Sequence, residues 1–173
     1  MNPLKTNTHQ DLQILPHDPK WLPAISKFIR QLVASRPTSA GRTAFTNLSA
    51  ALLEAYHSQA PRLLFAEKGE TKSSDNPFSY LLINLLLVDL RATLPTLLET
   101  LNSPEYSETS RRLASAFNVV SHFIGYLVRY LDSDLDDSSS SAIQWVISPD
   151  LLLKLRKAIS ETMSLTTEYL RDR

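Results

Sequence analysis

The chain has 173 residues, enough for one domain with a sizeable core. Its 18 Lys and Arg balance 18 Asp and Glu, so no net field draws it to nucleic acid or to an anionic membrane. Cysteine is absent, which excludes disulfides, thiolate metal sites and cysteine nucleophiles together.

The N-terminal stretch MNPLKTNTHQDLQILPHD has no basic region followed by an apolar run. It reads as a loose segment over 1–17, without a signal peptide, and sets the expectation of a cytoplasmic protein. Only three glycines accompany the many leucines, which favours helices over a turn-rich β fold. A helical domain is expected over 18–131. Asp18-Pro19 offers an N-cap and a first-turn proline for its first helix. Ile25, Phe28, Ile29, Leu32 and Val33 form that helix's apolar stripe. Thr38 or Ser39 caps a second helix, whose stripe is Phe45, Leu48, Leu52, Ala55 and Tyr56. PRLLFAE, from Pro61, reads as a short extra turn, and KGETKSSDN as a solvated loop.

Asn76-Pro77 opens the most apolar stretch, FSYLLINLLLVDLRATLPTLLETL. A membrane-spanning helix needs about 20 apolar residues, and Asn84, Asp89 and Arg91 interrupt this one. As a helix it places Tyr80, Asn84, Leu87 and Arg91 on one stripe, read as a single wet seam on an otherwise buried rod. Pro95 should kink or break it, with Thr93 capping a short continuation. Ser103-Pro104-Glu105 starts the next long helix, with an apolar stripe of Leu113, Phe117, Val120, Phe123, Ile124, Leu127, Val128 and Leu131. Residues 132–147 hold DSDLDDSSSSA, an acidic, serine-rich linker. A last helix over 148–173 starts at Ser148-Pro149-Asp150 and faces the domain with Leu152, Leu155, Ile159, Met163, Thr166 and Leu170.

The fold class expected from this series is all-α, an armadillo/HEAT-like α-solenoid segment of about five main helices, argued from helix lengths and proline-marked turns because no regular repeat period is present. A closed helical bundle is the alternative.

No residue set announces a reaction. Glu54 and His57 form one Glu-x-x-His pair, but a di-iron bundle needs two such pairs and two further glutamates. Asp132, Asp134 and Asp136 have the spacing that opens a calcium loop, yet Asp137 and Ile143 stand where it needs glycine and a bidentate glutamate. Gly-rich phosphate loops and the Gly-x-Ser-x-Gly elbow are missing. His122 has no acid placed to orient it, and the Asn47-Leu48-Ser49 sequon falls inside a helix. The expectation is therefore no catalytic residue, no cofactor and no metal. Partner contacts are expected of exposed polar and aromatic residues on the two long helices: Tyr80, Asn84, Arg91, His122, Tyr126 and Arg129. Ser133, followed by Asp134, Asp136 and Asp137, is the candidate for phosphorylation by an acidophilic kinase.

Three stretches carry a resemblance: SRPTSAGRTAFTNLSAALLEAYHSQAPRLLFAE, PFSYLLINLLLVDLRATLPTLLETLNSPEYSETSRRLASAFNVVSHFIGYLV and SPDLLLKLRKAISETMSLTTEYLRDR. Together they resemble the neurochondrin family in its fungal branch. The resemblance implies a leucine-rich, armadillo-like cytoplasmic protein that acts as a protein–protein interaction scaffold or adaptor without enzymatic activity. It also implies the C-terminal part of a longer protein, and it transfers no catalytic residue. The partners it implies are other proteins, with no nucleic acid and no direct membrane insertion. A structural C-terminal cap of a longer solenoid and a small helical ligand-binding bundle are the competing expectations.

Overall fold

The computed structural model describes residues 19–66, 76–97, 99–133 (130–133 by backbone alone) and 147–171. The expected loose segment 1–17, the loop from Glu67 to Asp75, and the linker over 134–146, with Asp134 and Asp136 of the calcium-like spacing, lie outside the described residues. Everything regular among the described residues is helical: α1 Leu22–Ala34, α2 Ser39–Ala55, α3 Ala60–Phe65, α4 Phe78–Leu97, α5 Tyr106–Ser133 and α6 Pro149–Arg171. The all-α reading holds.

Local chemistry sets the helix ends. α1 begins at Leu22, three residues later than Asp18-Pro19 implies, because Pro23 occupies its first turn and Pro19 O accepts from Leu22 N at 3.0 Å. Thr38 caps α2 by accepting a hydrogen bond on Oγ1 from Gly41 N at 3.2 Å. Between these helices Arg36 takes φ 54°, a left-handed turn that a residue with a Cβ seldom adopts, and Pro37 stops α1 from continuing. Pro95 does not break α4, contrary to the sequence expectation. It lies in the last turn, so the backbone bond it removes is lost where the helix ends two residues later at Leu97. Thr93 is accordingly no cap; its carbonyl accepts from Thr96 Oγ1 at 3.1 Å. α5 continues in helical backbone through Asp132 and Ser133, and Ile147, at the far end of the expected 132–147 linker, is buried.

The helices pack in two rows. α1 lies against α2 and touches α4; α4 lies between α5 and α6; α2 lies along α5. Arg42 near the start of α2 and Arg112 near the start of α5 both reach Asp89 on α4, so α2 and α5 run side by side in the same direction. The short α3 plugs the junction. Phe65 meets the Phe123 and Tyr126 rings edge-on and tilted, at 5.3 and 5.7 Å. The free carbonyls at its end are taken by α1: Ser26 Oγ donates to Leu63 O at 3.0 Å, while Arg30 Nη2 donates to Leu63 O and Ala66 O at 3.0 and 3.1 Å. The Arg30 guanidinium also lies 4.4 Å above the Phe78 ring at the start of α4.

α4 is the core rod. Leu82, Ile83, Leu86, Leu87 and Leu90 are all buried to within 1% of complete. Length and composition alone would let this helix cross a membrane, the only such helix among the described residues. Its apolar character is explained by four packed neighbours, α1, α3, α5 and α6.

The wet seam, however, is elsewhere. Leu87 is buried and Tyr80, Asn84 and Arg91 are half-buried, whereas Leu81, Val88 and Ala92 are exposed. The seam is rotated by roughly one residue, about 100° on a helical wheel. Polar side chains on α4 mark contacts with neighbouring helices, and two large apolar ones face water. The other stripes shift in the same way. Phe28, Ile124, Val128, Met163 and Leu170 are exposed, although apolar spacing places them inward. On α6 the buried positions are Leu155, Ala158 and Thr162. Thr162 can be buried because its hydroxyl donates to Ala158 O at 2.7 Å within the helix.

Candidate functional site

The six residues expected to meet a partner occupy α4 and α5, and their contacts run to different elements. Arg91 is committed to α6: Nη1 pairs with Glu161 Oε2 at 2.7 Å, and Nε donates to Leu87 O at 3.4 Å. Tyr126 packs half-buried on Phe65 of α3. Tyr80 packs against the core from a half-buried position. Asn84 and His122 are likewise half-buried. Arg129 is exposed, and its Nε donates to Gly125 O one turn back at 3.2 Å. Ser133 is the last residue of α5, and its side chain lies outside the described residues. Glu54 and His57 are both exposed, and no group of three or more His, Asp or Glu gathers as a metal site among the described residues.

Three helices meet at Asp89. Its Oδ2 accepts from Arg112 Nη1 at 2.5 Å, and its Oδ1 lies 4.0 Å from Arg42 Nε. Arg112 Nη2 also donates to Thr93 Oγ1 at 3.5 Å. Both side chains of the Asp89–Arg112 pair are nearly buried, at 13% and 12% exposure, so each charge relies on the other in place of water. This arrangement is a clasp between helices.

Two clefts flank α5. One lies between α5 and α6, about 610 Å³ in volume and apolar, walled by Phe123 and Leu127 on one side and by Leu152, Leu155 and Ile159 on the other. The other lies between α2 and α5, about 460 Å³ and more polar. Asn47, Ala50, Ala51 and Glu54 line it from α2; Arg111, Ala114, Ser115 and Asn118 line it from α5. Each set follows i, i+3, i+4, i+7, so two matching helical faces oppose one another. Both asparagine side-chain oxygens, Asn47 Oδ1 and Asn118 Oδ1, are buried and have no hydrogen-bond partner. Sequence reasoning missed this cleft. The pattern that could have found it is the repeated spacing of one asparagine, two small residues and one charged residue on two helices.

Six helices packed on one another, with no strand among the described residues, define an all-α protein. The neurochondrin family model matches residues 2–173, and the chain belongs to the neurochondrin family. Neither curated proteins nor solved structures give a match to this sequence.

Proposed function

We propose that this protein is a non-enzymatic protein–protein interaction scaffold of the cytoplasm, built as an armadillo/HEAT-like stretch in which α1, α4 and α6 form one row and α2 and α5 the other. The row order supports the stacked reading, because each hairpin touches its sequence neighbours, as repeats in a solenoid do. One observation carries the scaffold reading: large apolar side chains stand exposed on three consecutive helices, Leu81 and Val88 on α4, Ile124 and Val128 on α5, and Leu153 and Met163 on α6. Single exposed leucines need no explanation, but a series along adjacent helices is what a partner surface provides. The partners are other proteins. With a net charge of zero the protein has no electrostatic footprint for nucleic acid, and α4 is engaged by its neighbours instead of by lipid.

The test is affinity capture from a matched extract with the wild-type protein and an Ile124→Glu/Val128→Glu variant. Both residues are exposed, so the variant keeps its core; Tyr126, packed on Phe65, is unsuitable for this purpose. A protein recovered with wild type and lost with the variant supports the scaffold reading and places its face on α5. Indistinguishable eluates reject that face, and no specific protein in either eluate rejects the reading.

A further inference from the structure

We propose that the outer face of α1 docks an amphipathic helix of a partner protein, one whose apolar seam is bordered by acidic residues; this extends the scaffold reading to a second surface and states the partner's chemistry. α1 carries two apolar stripes of one spacing. Leu22, Ser26, Ile29 and Val33, at steps of four, three and four, are buried against the fold. One residue earlier the same steps give Trp21, Ile25, Phe28 and Leu32, about 100° round the helix. Trp21 belongs to this outer stripe because it stands at the N-cap in helical geometry, φ −82° and ψ −17°. Trp21 and Phe28 are 44% and 52% exposed, and Ile25 and Leu32 are half-buried. Tyr56 meets the Trp21 ring edge-on, with centroids 5.4 Å apart, and holds it in place. Two raised rings therefore alternate with two recessed aliphatic side chains, on the spacing by which one helix interlocks with another.

Charge selects the occupant. Over residues 19–53 the chain has five cations, Lys20, Lys27, Arg30, Arg36 and Arg42, and no Asp or Glu. Arg30 is committed to the carbonyls of α3, and Arg42 faces Asp89. Lys20 and Lys27 are exposed, form no ion pair among the described residues, and lie one heptad apart on the same flank of the outer stripe. Glu54, the next acid along the chain, lines the α2–α5 cleft instead. A second copy docked stripe to stripe would bring lysines and no acid to the interface, so like-charge repulsion disfavours it. A lipid surface suits a stripe that protrudes along its length with cations on both flanks. Here Ile25 and Leu32 lie back between the rings, and the lysines border one flank only. A helix with apolar knobs for the two recesses, and acids about seven residues apart for the two ammonium groups, fits both features.

The experiment selects, on the immobilised full-length protein, from a phage-displayed library of three-heptad helices. Leucine or isoleucine fills the a and d positions, and Glu, Gln or Lys is randomised at the flanking e and g positions. Enriched sequences are made as labelled peptides and measured by fluorescence anisotropy. Acidic flanks should be enriched. Phe28→Ser should weaken such a peptide about tenfold. Lys20→Glu/Lys27→Glu should weaken it by a similar factor at low salt and should take up the lysine-flanked version of the same peptide instead. A misfolded variant cannot produce that exchange of preference. All three side chains are exposed, so both variants are expected to stay folded, which circular dichroism checks. The Ile124→Glu/Val128→Glu variant should bind the peptide as wild type does, which separates this surface from the α5 face. Enrichment without a charge preference, no enrichment, or equal affinity for wild type and Phe28→Ser would overturn the proposal while leaving the scaffold reading to the α5 capture. Wild type that pellets with phosphatidylserine vesicles, and is released from them by Phe28→Ser, would assign the face to a lipid surface. A wild-type dimer that Phe28→Ser converts to a monomer would assign it to a second copy. Either result overturns the proposal as well.

Discussion

α4 is tied to each of its two main neighbours by an arginine–carboxylate pair, and the two pairs differ in burial. Toward α5, Arg112 meets Asp89 with side chains 12% and 13% exposed. Toward α6, Arg91 meets Glu161 with side chains 32% and 47% exposed. The charge chemistry is the same. Water screens the second pair and is largely excluded from the first, so the first is weighty and unforgiving while the second is close to neutral in stability. α5 is further secured by α2 and α3, and Arg42 adds a second cation near Asp89. Among the described contacts α6 rests chiefly on α4. One side of α4 is therefore a fixed body and the other a docked helix.

The sharpest way to break the contrast is Asp89→Ala. It leaves the Arg112 guanidinium nearly buried without its carboxylate, and the expected loss is about 3 kcal/mol, read from the urea midpoint at an unchanged slope. A loss no larger than that of a surface pair would mean that Arg112 reaches water in solution and that the clasp is not buried. The next effect concerns opening. Native-state hydrogen exchange should give α6 amides an opening free energy about 1–2 kcal/mol below those of central α5. Equal protection in the two helices would show that they unfold as one unit and would cancel the distinction.

Much of this is legible in the sequence, and the errors share one cause. Element type and order follow from prolines, caps and apolar spacing. The phase of the buried faces does not. On α4 the stripe through Tyr80, Asn84 and Arg91 reads as a mark of water, yet Arg91 is met by Glu161 from α6. A helix that is apolar nearly all round has no pattern strong enough to fix its rotation, and cross-helix pairing cannot be read from one helix at a time. The exchange of Met163 for Thr162 on α6 has a related origin: a threonine whose hydroxyl bonds to its own helix is packable, and spacing alone does not show that bond. The cleft asparagines are visible individually, Asn47 as a sequon and Asn118 as a polar-face residue. That both line one cleft depends on α2 packing along α5, which no local signal encodes.

A smaller effect contrasts two buried hydroxyls. Ser49 Oγ on α2 is buried with no hydrogen-bond partner, whereas Thr162 Oγ1 on α6 has one. Ser49→Ala should therefore raise stability by about 1 kcal/mol by removing a desolvated hydroxyl, and Thr162→Ala should lower it by about 1 kcal/mol. Thermal unfolding of both variants checks the opposite signs. A destabilised Ser49→Ala would reveal a partner for that hydroxyl in solution, such as a bound water.

The smallest effect is the most informative about α6. Glu161→Gln keeps the side chain's size and one acceptor for Arg91 but removes the charge, and with it the attraction to Lys157, 3.9 Å away. Glu161 and Lys157 are open to solvent and Arg91 is only half-buried, so the expected cost is below about 0.5 kcal/mol at low salt and should fade toward zero as ionic strength shortens the screening length. Asp89→Asn, measured alongside it, should retain most of its larger cost at high salt, because counterions cannot enter a nearly buried pair. The measurement is a salt series of urea midpoints for the two variants. If their costs decline in parallel, the two seams share one dielectric environment and burial does not separate them. If only the Glu161 variant responds, α6 is held by apolar contact through Leu155 and Ala158, with its ion pair setting register instead of strength.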